Sequence, residues 1–314
     1  MNSRLRLFEN VRLFSSIMVA LALVVSIISK KYFGELDITW QLFIALGALA
    51  IGIPHGALDH LVTLPKANPL KMAAFVALYL LIFFVAVSFL LKWNLIGFQL
   101  VLLMSLLHFG IGDAAFLTEL NQLKGIPKRK FSVIPIFLAF GAVPVLIPLL
   151  NSKSSVALKE INPNLIYWDQ NFARVLWVVL SILIAIAILT LILTKRVRDL
   201  IDLFLLLALA ILTPPLISFA IYFGCWHAMR HTARLTLVLP KSNEEFKLNR
   251  PLNAFWAAVL PGTPALLFTF LAAIYLWQRE SIENSLLWSM LVIVWALTVP
   301  HMMVTARLDK AALA

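Results

Sequence analysis

Apolar residues fall in long runs separated by short polar stretches. A hydrocarbon core of roughly 30 Å takes about 20 helical residues to cross. Runs of that order predict helices near 13–29, 38–54, 72–92, 95–116, 131–150 and 173–194. The stretch 199–238 is too long for one crossing. Pro214-Pro215 removes two backbone donors and crowds the preceding turn, which divides the stretch into a short helix near 200–213 and a longer one near 215–235. Helices near 253–277 and 285–304 complete the series. The pattern predicts an all-α polytopic membrane bundle of about ten transmembrane helices, with a range of about eight to ten set by the Pro214-Pro215 region. Residues 1–314 read as a single transmembrane domain.

Basic residues give the orientation. Arg4, Arg6 and Arg12, then Lys66 and Lys71, then Lys124, Lys128, Arg129 and Lys130 fall on one side of a ten-helix arrangement. Lys195, Arg196 and Arg198, then Arg234, Lys241, Lys247 and Arg250, and finally Arg307 and Lys310 fall on the same side. The positive-inside rule makes that side cytoplasmic, together with both termini. The other side receives Lys30 and Lys31, the turn at Trp93-Asn94 and the polar segment 151–172. Ser29-Lys30-Lys31-Tyr32 offers no small-residue cleavage site, so the first apolar run reads as a retained span and not as a secretory signal.

Composition agrees with the periodicity. With 62% apolar and 13% charged residues, the chain has too little polar surface to cover a soluble globule of its size. The net charge of +11 lies between the apolar runs, where it reads as topogenic charge and not as a nucleic-acid surface; no nucleic-acid module is visible. The single cysteine, Cys225, excludes an intramolecular disulfide and reads as a small packing residue.

The chemistry sits in the histidines. Of six, all but His60 lie inside or at the end of apolar runs, where an ionisable ring is expensive to keep. His55, His108, His227, His231 and His301 fall on the second, fourth, eighth and tenth predicted spans, which all run inward. About 12 to 17 residues along each, or roughly 18 to 25 Å, they share a depth in the cytoplasmic half. His227 and His231 are four apart and share a helical face. His55 and Asp59 have the same spacing, with Pro54 and Gly56 as helix breakers on either side of His55. Neutral imidazoles suit zinc, copper or iron, and a carboxylate that accepts the second ring proton orients such a ligand; Asp59 and Asp113 are candidates. Arg230 is expected to snorkel to the cytoplasmic interface.

Four ordered signatures carry a resemblance: Pro54-His55-Gly56-Ala57-Leu58-Asp59; His108-Phe109-Gly110 with Asp113; Tyr222-Phe223 leading to His227-Ala228-Met229-Arg230-His231; and Leu297-Thr298-Val299-Pro300-His301-Met302. From about residue 40 to 305 the chain resembles the bacteriorhodopsin-related Brp/Blh family of prokaryotic membrane β-carotene 15,15'-dioxygenases, with residues 1–37 as an added N-terminal span. The resemblance implies a multi-pass protein of the prokaryotic inner membrane that cleaves β-carotene with O₂ to two molecules of retinal, functionally linked to a microbial rhodopsin. It implies Fe(II) held by His55, His108, His227 and His231, leaves His60 aside, and gives His301 a supporting duty. Ferrous iron can activate triplet O₂, whereas zinc has no redox chemistry to offer. A C40 hydrocarbon is already dissolved in the lipid bilayer, so an intramembrane tunnel avoids carrying it through water. Phe109, Tyr222, Phe223 and Trp226 are placed to stack on a polyene. Tyr222, with its polar tip, leads among them and joins Asp59 as a catalytic candidate.

Three other functions use similar residues. A di-iron desaturase needs a larger histidine set than the six present, with only one HxxxH pair. A haem-binding electron carrier would use facing histidines and show in an absorption spectrum. A transporter would use the histidines as a proton or metal pathway, and no inverted repeat is evident.

Overall fold

The computed structural model describes residues 2–64, 68–127, 133–279 and 285–313; Lys66, Lys128, Arg129 and Lys130 of the basic loops lie outside them. Helix follows helix: α1 (Ser3–Tyr32), α2 (Ile38–Gly56), the short α3 (Asp59–Thr63), α4 (Pro69–Lys92), α5 (Asn94–Leu123), α6 (Val133–Leu150), α7 (Ser154–Ile161) and α8 (Ala173–Leu193). Then come α9 (Val197–Leu212), α10 (Pro215–Ala220), a π-helical segment (Ile221–His227), α11 (Ala228–Leu235), α12 (Pro240–Lys247), α13 (Pro251–Ala257), α14 (Pro264–Arg279) and α15 (Leu286–Leu313). Among the described residues there is no strand.

Among the described residues eight stretches are long and apolar enough to cross a membrane: α1, α2 with α3, α4, α5, α6, α8, α13 with α14, and α15. Two shorter strokes lie between α8 and α13. With 16 residues α9 reaches about 24 Å, and α10, the π segment and α11 continue one another over 215–235. The division at Pro214-Pro215 is present, and among the described residues these two shorter strokes accompany the eight longer ones.

Several helices outrun their apolar stretches. α1 begins at Ser3, capped by the Asn2 side chain, α5 continues to Leu123 and α15 to Leu313. The extensions carry charged residues that pair inside the protein, including Arg12, Glu119 and Asp309. The 253–277 run is interrupted instead, by a 3₁₀ turn at Leu260–Gly262 that contains Pro261 and is followed by Pro264.

Contacts at the helix ends sort the loops into two sets. At one end Arg4 meets Asn243, Lys124 pairs with Glu9, and Gln122 donates to the Ala312 carbonyl. At the other, Glu35 pairs with Lys153, Gln99 donates to the Trp168 carbonyl and Ser285 to the Ile161 carbonyl. Both termini lie at the first end and 151–172 at the second. Lys153 also holds the Glu35 carboxyl below its ordinary range.

α5 and α6 approach each other closely. A Cβ on Gly110 would stand 1.9 Å from the Phe137 carbonyl oxygen, and one on Gly141 1.9 Å from that of Leu106. Only hydrogen fits at either place, the small-residue contact by which membrane helices pack without a hydrophobic drive. On the outside, α4 and α8 present Leu81, Phe84, Val85, Val178 and Ile182. Such an apolar belt belongs against lipid.

Candidate metal centre

Five of the six histidines converge. His55 sits in the last turn of α2, which runs through Pro54 and ends at Gly56. His108 comes from α5, His227 ends the π segment, His231 lies in α11 and His301 in α15. All five are buried. Ring centres are 5.4 Å apart for His55 and His227, 5.0 Å for His227 and His108, 5.1 Å for His108 and His301, and 5.5 Å for His301 and His55. These four form a closed cycle. His231 lies within 5.1 Å of His55, 5.3 Å of His301, 6.0 Å of His227 and 6.1 Å of His108.

The nitrogens of this cluster are short of partners. His55 Nδ1, His227 Nε2, both nitrogens of His231 and His301 Nε2 are buried without a hydrogen bond, an expensive state for polar groups unless something else binds them. Imidazoles that share one ion at about 2 Å per nitrogen place their ring centres roughly 4.5 to 6.5 Å apart, and every separation above falls in that interval. The donor type and spacing fit a soft-to-borderline transition metal. Among the described residues no group of three or more His, Cys, Asp or Glu side chains is arranged, as it stands, to hold a metal ion.

The carboxylates are placed differently from expectation. Because α2 ends at Gly56 and α3 begins anew at Asp59, His55 and Asp59 do not share a helical face. Asp59 accepts from His301 Nδ1 at 2.8 Å and from the Tyr79 hydroxyl at 3.0 Å. Asp113 orients no histidine. It accepts from the Tyr222 hydroxyl, the Trp226 indole and Arg230 at 3.1–3.2 Å.

Arg230 does not snorkel. It is 1% exposed, lies 3.6 Å above the Trp226 ring and bridges Asp113 to Asp202. Asp202 also accepts from Arg12, which pairs with Asp199 as well. Arg234 pairs with Glu119 and Asp309. Arg12 and Arg234, counted above as topogenic, are internal charges. The five carboxylate partners of Arg12, Arg230 and Arg234 supply the compensation that buried guanidinium groups require. A paired network of this kind holds α1, α5, α9, α11 and α15 in register around the histidines.

A cavity of about 390 Å³ opens beside the cluster, in the range of small-molecule sites. His55, His108, His227 and His301 line it, and His231 does not. The rest of its wall is mainly apolar, with Phe98, Phe109, Tyr222, Phe223, Phe268 and Trp295 among the rings; Tyr79, Asp59 and the half-buried His60 also reach it. Trp226 is packed behind, fully buried on Arg230, and Cys225 is buried at the edge of the core. Tyr79 escaped the sequence reading. Its signal was a lone phenol in the apolar run of α4, which gains meaning only once Asp59 is seen beside it.

The chain matches the family described as Beta-carotene 15,15'-dioxygenase over residues 46–309. It is 32% identical over 189 residues to the "Beta-carotene 15,15'-dioxygenase" of an uncultured marine bacterium, 66A03, an alignment that covers 58% of this chain and 64% of that protein. It is 27% identical over 303 residues to the "Probable beta-carotene 15,15'-dioxygenase Blh" of Halobacterium salinarum, with 84% and 82% covered. No solved structure matches.

Proposed function

The chain belongs to the β-carotene 15,15'-dioxygenase family, and on that premise we propose that it cleaves the central double bond of β-carotene with O₂ to give two molecules of retinal. The observation that carries this reading is the set of buried imidazoles with unpartnered nitrogens at the wall of an apolar cavity. His55, His108, His227 and His231 would hold iron. Ferrous iron, when held there, supplies the redox chemistry that lets triplet O₂ react with a closed-shell alkene.

The balance needs no further reagent. Both bonds of C15=C15' and the O–O bond break, and each C20 half leaves with one oxygen atom as an aldehyde. The chain's part is to bind, orient and keep water out. Phe98, Phe109, Phe223, Phe268 and Trp295 provide an apolar wall for the polyene. Burial there is favourable for a hydrocarbon in proportion to the area covered. Tyr222 presents its ring to the cavity while its hydroxyl is tied back to Asp113, so the phenol is fixed in orientation beside the reacting chain. Asp59 fixes the His301 ring. Positioning the polyene midpoint against the cluster, and not one end, makes the cut symmetric.

The family's setting, a prokaryotic inner membrane with retinal passed to a microbial rhodopsin, completes the proposal. A haem carrier fits the site poorly. The cycle of His55, His227, His108 and His301 occupies the plane that a macrocycle around a His231-bound iron would need. Expression in carotenoid-producing bacteria tests the reading: extracted pigments should lose β-carotene and gain retinal. Long apocarotenals as main products, or intact β-carotene beside abundant folded protein, would reject it.

A further inference from the structure

His301 stands among the ligands in every geometric respect. Its ring centre is as near to its neighbours as those of the four histidines named above are to one another. Its Nδ1 lies 2.8 and 3.0 Å from the two oxygens of Asp59. An ionised carboxylate only accepts, so Nδ1 carries a proton, and in the neutral ring Nε2 keeps its lone pair. That Nε2 is buried and without a partner. The second hydrogen bond on Asp59, from Tyr79, comes from α4 and holds the carboxylate at its far side. A carboxylate that fixes tautomer and ring plane in this way is the usual companion of a metal-bound imidazole.

The arrangement of the five rings adds direction. Four form the cycle His55, His227, His108, His301, and no ring contact joins opposite members of that cycle among the described residues. His231 touches all four and does not reach the cavity, whereas the four do. The ring centres thus describe a square pyramid with His231 at its apex, on the side away from the cavity.

We infer that His301 is a fifth metal donor, set by Asp59 and Tyr79, so that protein nitrogens surround the metal on every side except the one facing the apolar cavity. The inference rests on the metal centre proposed above and deepens it. A six-coordinate ion held by four histidines would keep two places open, and one held by five would keep a single place, on the side of the apolar cavity.

Metal binding by the purified apoprotein in detergent tests this without any turnover, with Co(II) as probe, because its visible absorption strengthens as coordination number falls. The wild type should bind one Co(II) with the weak bands of a five- or six-coordinate ion. His301→Ala should bind more weakly, with stronger bands, and added imidazole should restore the wild-type spectrum. Asp59→Asn should weaken Co(II) binding by about 10–100-fold in the wild-type background and have no effect when His301 is already alanine. A purely structural Asp59–His301 pair would not produce that spectrum or that dependence. Identical spectra and affinities in wild type and His301→Ala overturn the fifth donor and leave the other four standing. No Co(II) binding by the wild type overturns the metal centre as a whole. Should His301→Ala not fold, Asp59→Asn and Tyr79→Phe carry the test, and unchanged affinity in both overturns the inference.

Discussion

Arg12 and Arg230 meet on one carboxylate: Asp202 Oδ2 lies 2.9 Å from Arg12 Nε and 3.0 Å from Arg230 Nη2. Both arginines and the aspartate are buried. Removing one member of a buried ionic set leaves the others charged in a low dielectric, at a cost of about 3–5 kcal/mol. Asp202→Ala should therefore lower the thermal midpoint of the detergent-solubilised protein steeply and cut its folded yield. A wild-type midpoint would show that the two guanidinium groups find compensation elsewhere.

The four proposed iron ligands should behave alike. Alanine at His55, His108, His227 or His231 should reduce bound iron and retinal formation by more than the roughly 10–100-fold typical when only a ligand's hydrogen-bond partner is changed. His60→Ala, at a half-buried ring outside the cluster, should keep its iron. Iron per folded chain, read beside retinal yield, decides each position, and full iron in any one of the four removes that residue from the set.

Packing gives a cleaner contrast. Gly110→Ala places a methyl group 1.9 Å from the Phe137 carbonyl oxygen, so α5 and α6 must part and His108 moves with them. Folded yield should collapse. Gly47→Ala, with nothing within 4 Å of its Cβ, should leave yield and activity intact and raise stability by about 0.5–1 kcal/mol, since glycine weakens a helix interior. Equal behaviour of the two variants in a thermal-shift series would refute the close contact.

The two sets of loop contacts define the two sides of the bundle. The basic loops predict that the end bearing both termini is cytoplasmic. Reporter fusions at the C-terminus should read as internal, and insertions within 155–170 as external. The reverse result would mean that the charges on Lys30, Lys31, Lys153 and Lys159 outweigh the larger set, contrary to the rule.

The histidines were legible because an imidazole inside an apolar run is anomalous wherever it occurs, and because counting spans in alternation put five of them at one depth. Their convergence needed no side-chain detail. The arginines were not legible in the same way. A basic residue near the end of a span looks identical whether it lies exposed at a helix end, like Lys124, or faces a buried carboxylate, like Arg234. Only partners far along the chain distinguish the two, and Asp113, Glu119, Asp199, Asp202 and Asp309 lie on three different helices. The pairing of Asp59 with His301 was hidden for a local reason: whether α2 stops at Gly56 or continues decides which neighbour the carboxylate meets.

The ion pairs of α1 also set an order of events during synthesis. Arg12 enters the membrane with the first helix, yet Asp199 and Asp202 follow 187 and 190 residues later. At about 5–20 residues per second, that is roughly 10 to 40 seconds of translation. Through that interval the guanidinium has no acid to meet, and it must wait where water or headgroups can reach it. α1 thus reaches its final ion pairs only when α9 arrives to receive it.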